Sequence, residues 1–198
     1  IEKTKLITLE EAISDAFSLE EVQEIYDRVN NSPYRRCVKR DQAIMGIMLS
    51  IPVRKSEIRK LLREDYTDKG CLVFRARKGK RNTVVGLPRD VIVDIDRYLA
   101  ERNDNLPWLF VTENNTQMGV DALDNLVEKY AKCNPHRLRA TAATMLYRAG
   151  VPIETVESIG GWEKGSKTLR QNYLRIDEDT MRNALEQVNA FVKKGGNA

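Results

Sequence analysis

His136 and Arg139 stand three residues apart in Asn134-Pro135-His136-Arg137-Leu138-Arg139, the segment that carries the chain's only histidine. Asn134 is a good N-cap and Pro135 suits the first helical position, so the segment reads as a helix start, with Gly150 as the stop. A spacing of three puts the imidazole and the guanidinium on one face of the first turn, beside backbone N–H groups that a helix leaves unpaired. Imidazole, guanidinium and helix N-terminus together make an anion site. Downstream come Gly160-Gly161-Trp162 and then Tyr173, flanked by Arg170 and Arg175. A phenol in basic surroundings is a nucleophile for a phosphodiester held in such a site. Taken alone, the His–Arg pair reads equally well as a surface histidine beside one of many arginines.

Two upstream segments add cations. Arg54 precedes a predicted helix and Glu57 follows three residues later, close enough to orient the guanidinium by a charge-assisted hydrogen bond, or simply to form an ordinary surface pair. Lys78, Lys80 and Arg81 occupy the predicted tip of a hairpin between Cys71–Arg77 and the run 83–87. The tip has no Gly-x-x-x-x-Gly-Lys-Ser/Thr, so a nucleotide-binding P-loop is not supported, and Gly160-Gly161 lacks both the preceding strand and the third glycine of a dinucleotide fingerprint.

The elements that must position these residues are mostly helical. Capping boxes at Thr8 with Glu11 and at Ser18 with Glu21 predict two short acidic helices, the second with Leu19, Val22, Ile25 and Val29 at helical spacing. Further helices are expected over about 36–50, after Pro52 with Ile58, Leu61 and Leu62 inward, over about 89–102, 120–132 and 153–159, and around Tyr173. Trp108 to Val111 is a short apolar run. The tail carries a stripe of Met181, Leu185, Val188 and Val192 that needs a partner surface.

Bulk properties bound the class. The 198 residues are 41% hydrophobic and 31% charged, the composition of an ordinary globular protein. No apolar run approaches the ~18 residues of a membrane span, and no signal peptide precedes the polar opening, so a cytosolic compartment at the nucleoid, or a nuclear one, is expected. Cys37, Cys71 and Cys133 are odd in number and widely spaced, which argues against a disulfide framework and against zinc. Net charge is only +4, but it is banded. Residues 54–89 hold twelve basic against four acidic side chains and residues 132–176 eight against three, with an acidic stretch of three against nine over 90–130. Two basic segments that converge on folding would form a nucleic-acid footprint; the alternative is solvated helix faces.

Together these pieces resemble the catalytic domain of the tyrosine recombinases, the family of the phage integrases. His136-Arg137-Leu138-Arg139 matches its His-x-x-Arg box, Arg54 and Glu57 its first arginine and supporting acid, and Lys78 its mobile hairpin lysine. Gly161-Trp162 followed by Asn172-Tyr173 resembles the Cre-like branch, with Trp where most members have a second histidine. The match covers roughly residues 35–185. The spacing from Trp162 to Tyr173 is longer than usual, so an extended loop is expected at 163–166.

The resemblance implies a mostly helical α+β fold with a small antiparallel hairpin or sheet on one side. The expected division is an acidic helical segment over 1–30, the catalytic domain over 31–176 and a helical tail over 177–198 that subunits exchange. The family's N-terminal DNA clamp has no counterpart, so the chain is expected to be the catalytic part of a longer recombinase. The implied partners are double-stranded DNA and further copies of the chain, as a dimer or tetramer on DNA. Tyr173 would attack the phosphodiester to give a 3′-phosphotyrosyl link, with neither metal nor ATP nor any small-molecule cofactor. Arg54 and Arg139 would bind the non-bridging oxygens, Lys78 (or Lys80) would protonate the leaving oxygen, His136 would assist proton transfer or bind the phosphate, and Trp162 would offer an indole N–H and packing in place of a second histidine. A non-cutting DNA-binding module of the same fold, a helical regulator that binds a protein partner, and a type IB topoisomerase-like activity are the competing readings.

Overall fold

The computed structural model describes residues 16–33, 37–77 and 81–172, with the isolated positions 182 and 186. In chain order the helices are α1 (Leu19–Asn30), α2 (Val38–Ser50), α3 (Lys55–Lys60), α4 (Arg89–Ala100), α5 (Val120–Ala131), α6 (Pro135–Arg148), α7 (Ile153–Gly160) and α8 (Lys167–Asn172). Between α3 and α4 lie β1 (Tyr66–Thr67), β2 (Cys71–Arg77) and β3 (Arg81–Gly86), an antiparallel sheet in that order. The mostly helical α+β architecture with one small sheet is therefore as the sequence predicts; β1 was not foreseen. The Thr8–Glu11 box and the stripe from Met181 to Val192 lie outside the described residues.

Helix α2 is the hub. Ala43 through Leu49 are all buried, and a helix that is apolar all round belongs inside. Each fully buried Ile or Met contributes on the order of 1.5–3 kcal/mol. Gly46 lets α4 approach, since a β-carbon there would stand 3.3 Å from Cγ2 of Val91. Asp41, also buried, is held by Arg40 at 2.7 Å and by the Tyr130 hydroxyl at 2.9 Å, which tethers α2 to α5. Helix α1 starts in the predicted box: Ser18 Oγ accepts from the Glu21 N–H at 3.2 Å and Glu21 Oε2 from the Ser18 N–H at 2.7 Å. Its buried face is Val22, Ile25 and Val29, whereas Leu19 points to solvent. Phe17 ties the entry of α1 to α6, its N–H donating to Thr141 Oγ1 at 2.9 Å and its ring lying under the Arg137 guanidinium.

Helix α3 ends at Lys60, two residues short of Leu62, which it would have to include to turn that side chain fully inward. Ile58 and Leu61 are buried, but Leu62 is half-buried and makes an isolated bridge to Trp108. A second, smaller core of Ala140, Ala143, Val156 and Leu169, flanked by Trp162, joins α6, α7 and α8. Among the described residues no helix is long and apolar enough to cross a membrane. The three cysteines are thiols, and burial pushes that of Cys37 up to about 11.

Candidate active site

Helix α6 begins as its sequence dictates. Asn134 caps it, its Oδ1 accepting from the Arg137 N–H at 3.0 Å, Pro135 is the first residue, and Gly150 closes the far end at φ +83°. Pro135 has no N–H and the predicted cap takes that of Arg137, which leaves fewer open main-chain donors than the four of an uncapped start. Exposed His136 and buried Arg139 line one cavity of about 540 Å³ together with Arg54 and Lys55. Asp124 lies on the same wall and neutralises Lys55 through contacts of 2.6 and 2.8 Å.

Arg139 is not the outward-facing residue that its spacing from His136 suggests. It is 5% exposed, and its Nη1 and Nη2 donate to the carbonyl oxygens of Pro52 at 2.5 Å and Gly160 at 3.1 Å. These bonds explain how residues distant in sequence meet: Pro52 lies two positions before Arg54, and Gly160 lies two before Trp162. The Trp162 ring stacks on the guanidinium, 3.9 Å from its carbon to the ring centroid, which is cation–π geometry. Trp162 thus backs Arg139 instead of lining the cavity. Gly160 has to be glycine, since a β-carbon would sit 1.8 Å from the indole Cζ3.

Arg54 is the N-cap residue of α3, and Glu57 satisfies it twice. Its Oε2 accepts from the Arg54 N–H at 2.8 Å and its Oε1 from Nη1 at 3.3 Å, so the predicted orienting pair is present, with Arg54 39% exposed and Glu57 only 15%. The same carboxylate meets a second arginine that the sequence reading passed over. Arg77, 3% exposed at its side chain, puts Nε 3.0 Å from Oε1, without hydrogen-bond alignment, and donates from Nη2 to Oε2 at 3.3 Å. Burial pushes the Arg77 guanidinium below its ordinary pKa, Glu57 opposes that, and nearby Arg54 adds to the depression.

Glu157 is the other residue missed. It is 2% exposed in α7 and accepts from the N–H groups of Gly165 at 3.0 Å and Ser166 at 2.9 Å, folding the expected loop after Trp162 onto the start of α8. An acidic residue on the face that carries Val156 and Gly160 was its only signal. Lys78, Lys80 and Tyr173 lie outside the described residues; Arg54, Glu57, His136, Arg139 and Trp162 are brought together. Among the described residues no cluster of three or more His, Cys, Asp or Glu could hold a metal ion.

A sequence model of the phage integrase family matches residues 16–179. The tyrosine recombinase XerA of Pyrococcus horikoshii is 28% identical over 195 residues, which are 94% of this chain and 65% of that protein. The tyrosine recombinase XerC of Thermodesulfovibrio yellowstonii is 29% identical over 182 residues, 83% of this chain and 57% of its own. The chain thus spans less than two thirds of these curated relatives. Among solved structures the fold is similar to that of XerA recombinase, with a TM-score of 0.74 at 20% identity, over 88% of this chain and 64% of that one. It is also similar to the XerH site-specific recombinase bound to its difH substrate before cleavage, with a TM-score of 0.71 at 20% identity over 87% and 54%. With the family model matching most of its length, the chain belongs to the phage integrase family of tyrosine recombinases.

Proposed function

We propose that this chain is the strand-cutting part of a site-specific recombinase that acts on double-stranded DNA as a homo-oligomer. The observation that carries the reading is the shared wall of Arg54, His136 and Arg139 in one cavity, with Arg54 held by Glu57 and Arg139 by two backbone carbonyls. Guanidinium groups held in one cavity are what a phosphodiester needs, because negative charge grows on its non-bridging oxygens as a fifth ligand arrives. The Tyr173 oxygen would form the new bond to phosphorus and the bond to the 5′ oxygen would break. The phenol proton would leave toward His136 or solvent, and Lys78 would give one proton to the departing 5′ oxygen. Reversal by a 5′ hydroxyl of another strand would restore the phosphodiester and the tyrosine, so the bond energy is conserved in the 3′-phosphotyrosyl link and neither ATP nor metal is called on. Trp162 would take the place of the second histidine by buttressing Arg139. The names of XerA, XerC and DNA-bound XerH support the assignment of substrate class.

The test starts from a pool of nicked duplexes with randomised sequence around the nick, from which the wild-type chain captures its own sites covalently. Sites recovered this way are resynthesised and incubated with Tyr173→Phe. Loss of the denaturation-resistant adduct with DNA binding retained is the expected result; an adduct that persists, on Tyr147 or Tyr130 for example, would overturn the reading.

A further inference from the structure

Along β2 the side chains begin in strict alternation, with Leu72 and Phe74 buried and Cys71 and Val73 half-buried. Continued alternation would put Arg77 on the outer face with exposed Arg75. It is buried instead, because the pairing slips. Phe74 faces Thr83 and Arg77 faces Arg81, so β2 spends three steps where β3 spends two. The extra residue forms a bulge around Ala76, whose φ of +45° is a left-handed conformation that residues with a β-carbon avoid. One inserted residue turns everything after it to the opposite face. Strain of this kind persists only where its surroundings enforce it, and it gathers at functional sites.

What the bulge delivers is a guanidinium with three neighbours. Arg77 donates from Nη1 to the Ile159 carbonyl at 2.5 Å and from Nη2 to Glu57 at 3.3 Å, and lies 3.9 Å above the Phe74 ring. Gly161 makes room for it: at φ +67°, a β-carbon there would be 2.8 Å from the Arg77 Cδ. The base of the hairpin, the carboxylate that orients Arg54 and the turn that leads to Trp162 are therefore fastened together through one side chain.

We propose that Arg77 is a positioning residue for Lys78, the next residue in the chain: by anchoring the hairpin base to Glu57 and Ile159 it fixes the point from which the lysine reaches the scissile phosphate. This inference rests on the reading of Lys78 as the proton donor. As the tyrosine–phosphorus bond forms and the bond to the 5′ oxygen breaks, the Lys78 ammonium passes one proton to that oxygen and is left as the neutral amine. If sulfur replaces the bridging 5′ oxygen, a thiolate departs without a proton and correct placement of Lys78 no longer matters. Merely structural damage slows both substrates by one factor, whereas misplaced Lys78 slows only the oxygen substrate.

The experiment uses the duplex selected by wild-type covalent capture, in its ordinary form and with the single bridging oxygen replaced by sulfur, under single-turnover conditions, with Tyr173→Phe as control. Arg77→Ala should slow adduct formation on the phosphodiester roughly 10- to 100-fold, a part of the ~10²–10⁴ that a general acid supplies, and on the sulfur substrate by no more than about 3-fold. Arg77→Lys keeps a cation beside Glu57 but lacks the planar fork whose separate nitrogens reach Ile159 and Glu57, so it should show the same substrate pattern at smaller amplitude, and it carries the test should the alanine variant not fold. Equal slowing on both substrates, or no slowing, overturns the proposal while leaving the enzyme reading intact. Absence of any Tyr173-dependent adduct from the wild type overturns the enzyme reading, and this inference with it.

Discussion

Replacing Glu157 with alanine should unfasten the loop that leads to Tyr173 while most of the core stays folded. Glu157 is 2% exposed, and its two carboxylate oxygens accept separately from Gly165 and Ser166, at 3.0 and 2.9 Å. Each hydrogen bond to a charged acceptor contributes about 1.5–3 kcal/mol. Gly165 is exposed and Ser166 half-buried, so the released N–H groups can turn to water, which offsets part of the sum for the two bonds and leaves a loss of ~2 kcal/mol. The Arg170 guanidinium, 3.7 Å from Oε1 and itself 46% exposed, adds little. A loss of ~2 kcal/mol multiplies the undocked population by about 30, since 1.4 kcal/mol is tenfold. Amide hydrogen exchange reads this directly. The Gly165 and Ser166 amides should exchange about 30-fold faster, beyond any change in the α2 amides of Ile44 and Met45. Glu157→Gln, which keeps one acceptor oxygen, should fall between. Unchanged exchange at Gly165 and Ser166, or an equal acceleration throughout α2, would refute the staple.

Ala76 tests the bulge. Ala76→Gly relieves the left-handed strain of ~1–2 kcal/mol but frees the unfolded chain by up to about 1, so urea unfolding should show stability unchanged or raised by up to ~1 kcal/mol. Ala76→Val, by contrast, should lose ~1–3 kcal/mol; a neutral valine would contradict the conformation. Asp104 governs part of the acid response. Arg102 beside it, at 2.5 and 2.8 Å, holds its carboxyl down to about 2 from the usual 3.8, with the Leu106 N–H also bonded to it. A folded pKa below the unfolded one gives stability that is present above the unfolded pKa and lost as pH falls through the folded one, here between about 3.8 and about 2. In Asp104→Asn that portion of the pH dependence of the unfolding midpoint should vanish, and its survival would assign the effect to other carboxylates.

Local chemistry was legible in the sequence wherever the signal is local. Asn134, Pro135 and Gly150 announce α6 because capping, a missing N–H and a left-handed stop are properties of single residues, and Ser18 with Glu21 announce α1 likewise. The hairpin was legible from its β-branched runs, and the Arg54–Glu57 pair from a spacing of three. Leu62 was misjudged because α3 stops at Lys60, where the chain turns to bridge Trp108, a tertiary event. Arg77 was missed because a bulge depends on the partner strand's register, and the left-handed position fell on an alanine, which carries no such signal, where a glycine would have flagged it.

The burial of Arg139 was illegible for a different reason. Its partners are the carbonyls of Pro52 and Gly160, as the partner of Arg77 is the carbonyl of Ile159, and every residue has a carbonyl. A sequence names the side chains that would touch a phosphodiester but not the main-chain groups that hold them. Here the holders do more than fill space. The Pro52 carbonyl lies two residues from Arg54, the Gly160 carbonyl two from Trp162, and the Ile159 carbonyl binds the arginine that precedes Lys78. Any shift of α7 would therefore move the seats of Arg139 and Arg77 together. Glu57 closes the circuit, since its one carboxylate contacts Arg54 and Arg77 alike. A change at Glu57 should consequently be felt at the hairpin as well as at Arg54, whereas a change at Trp162 bears first on Arg139, whose guanidinium it covers.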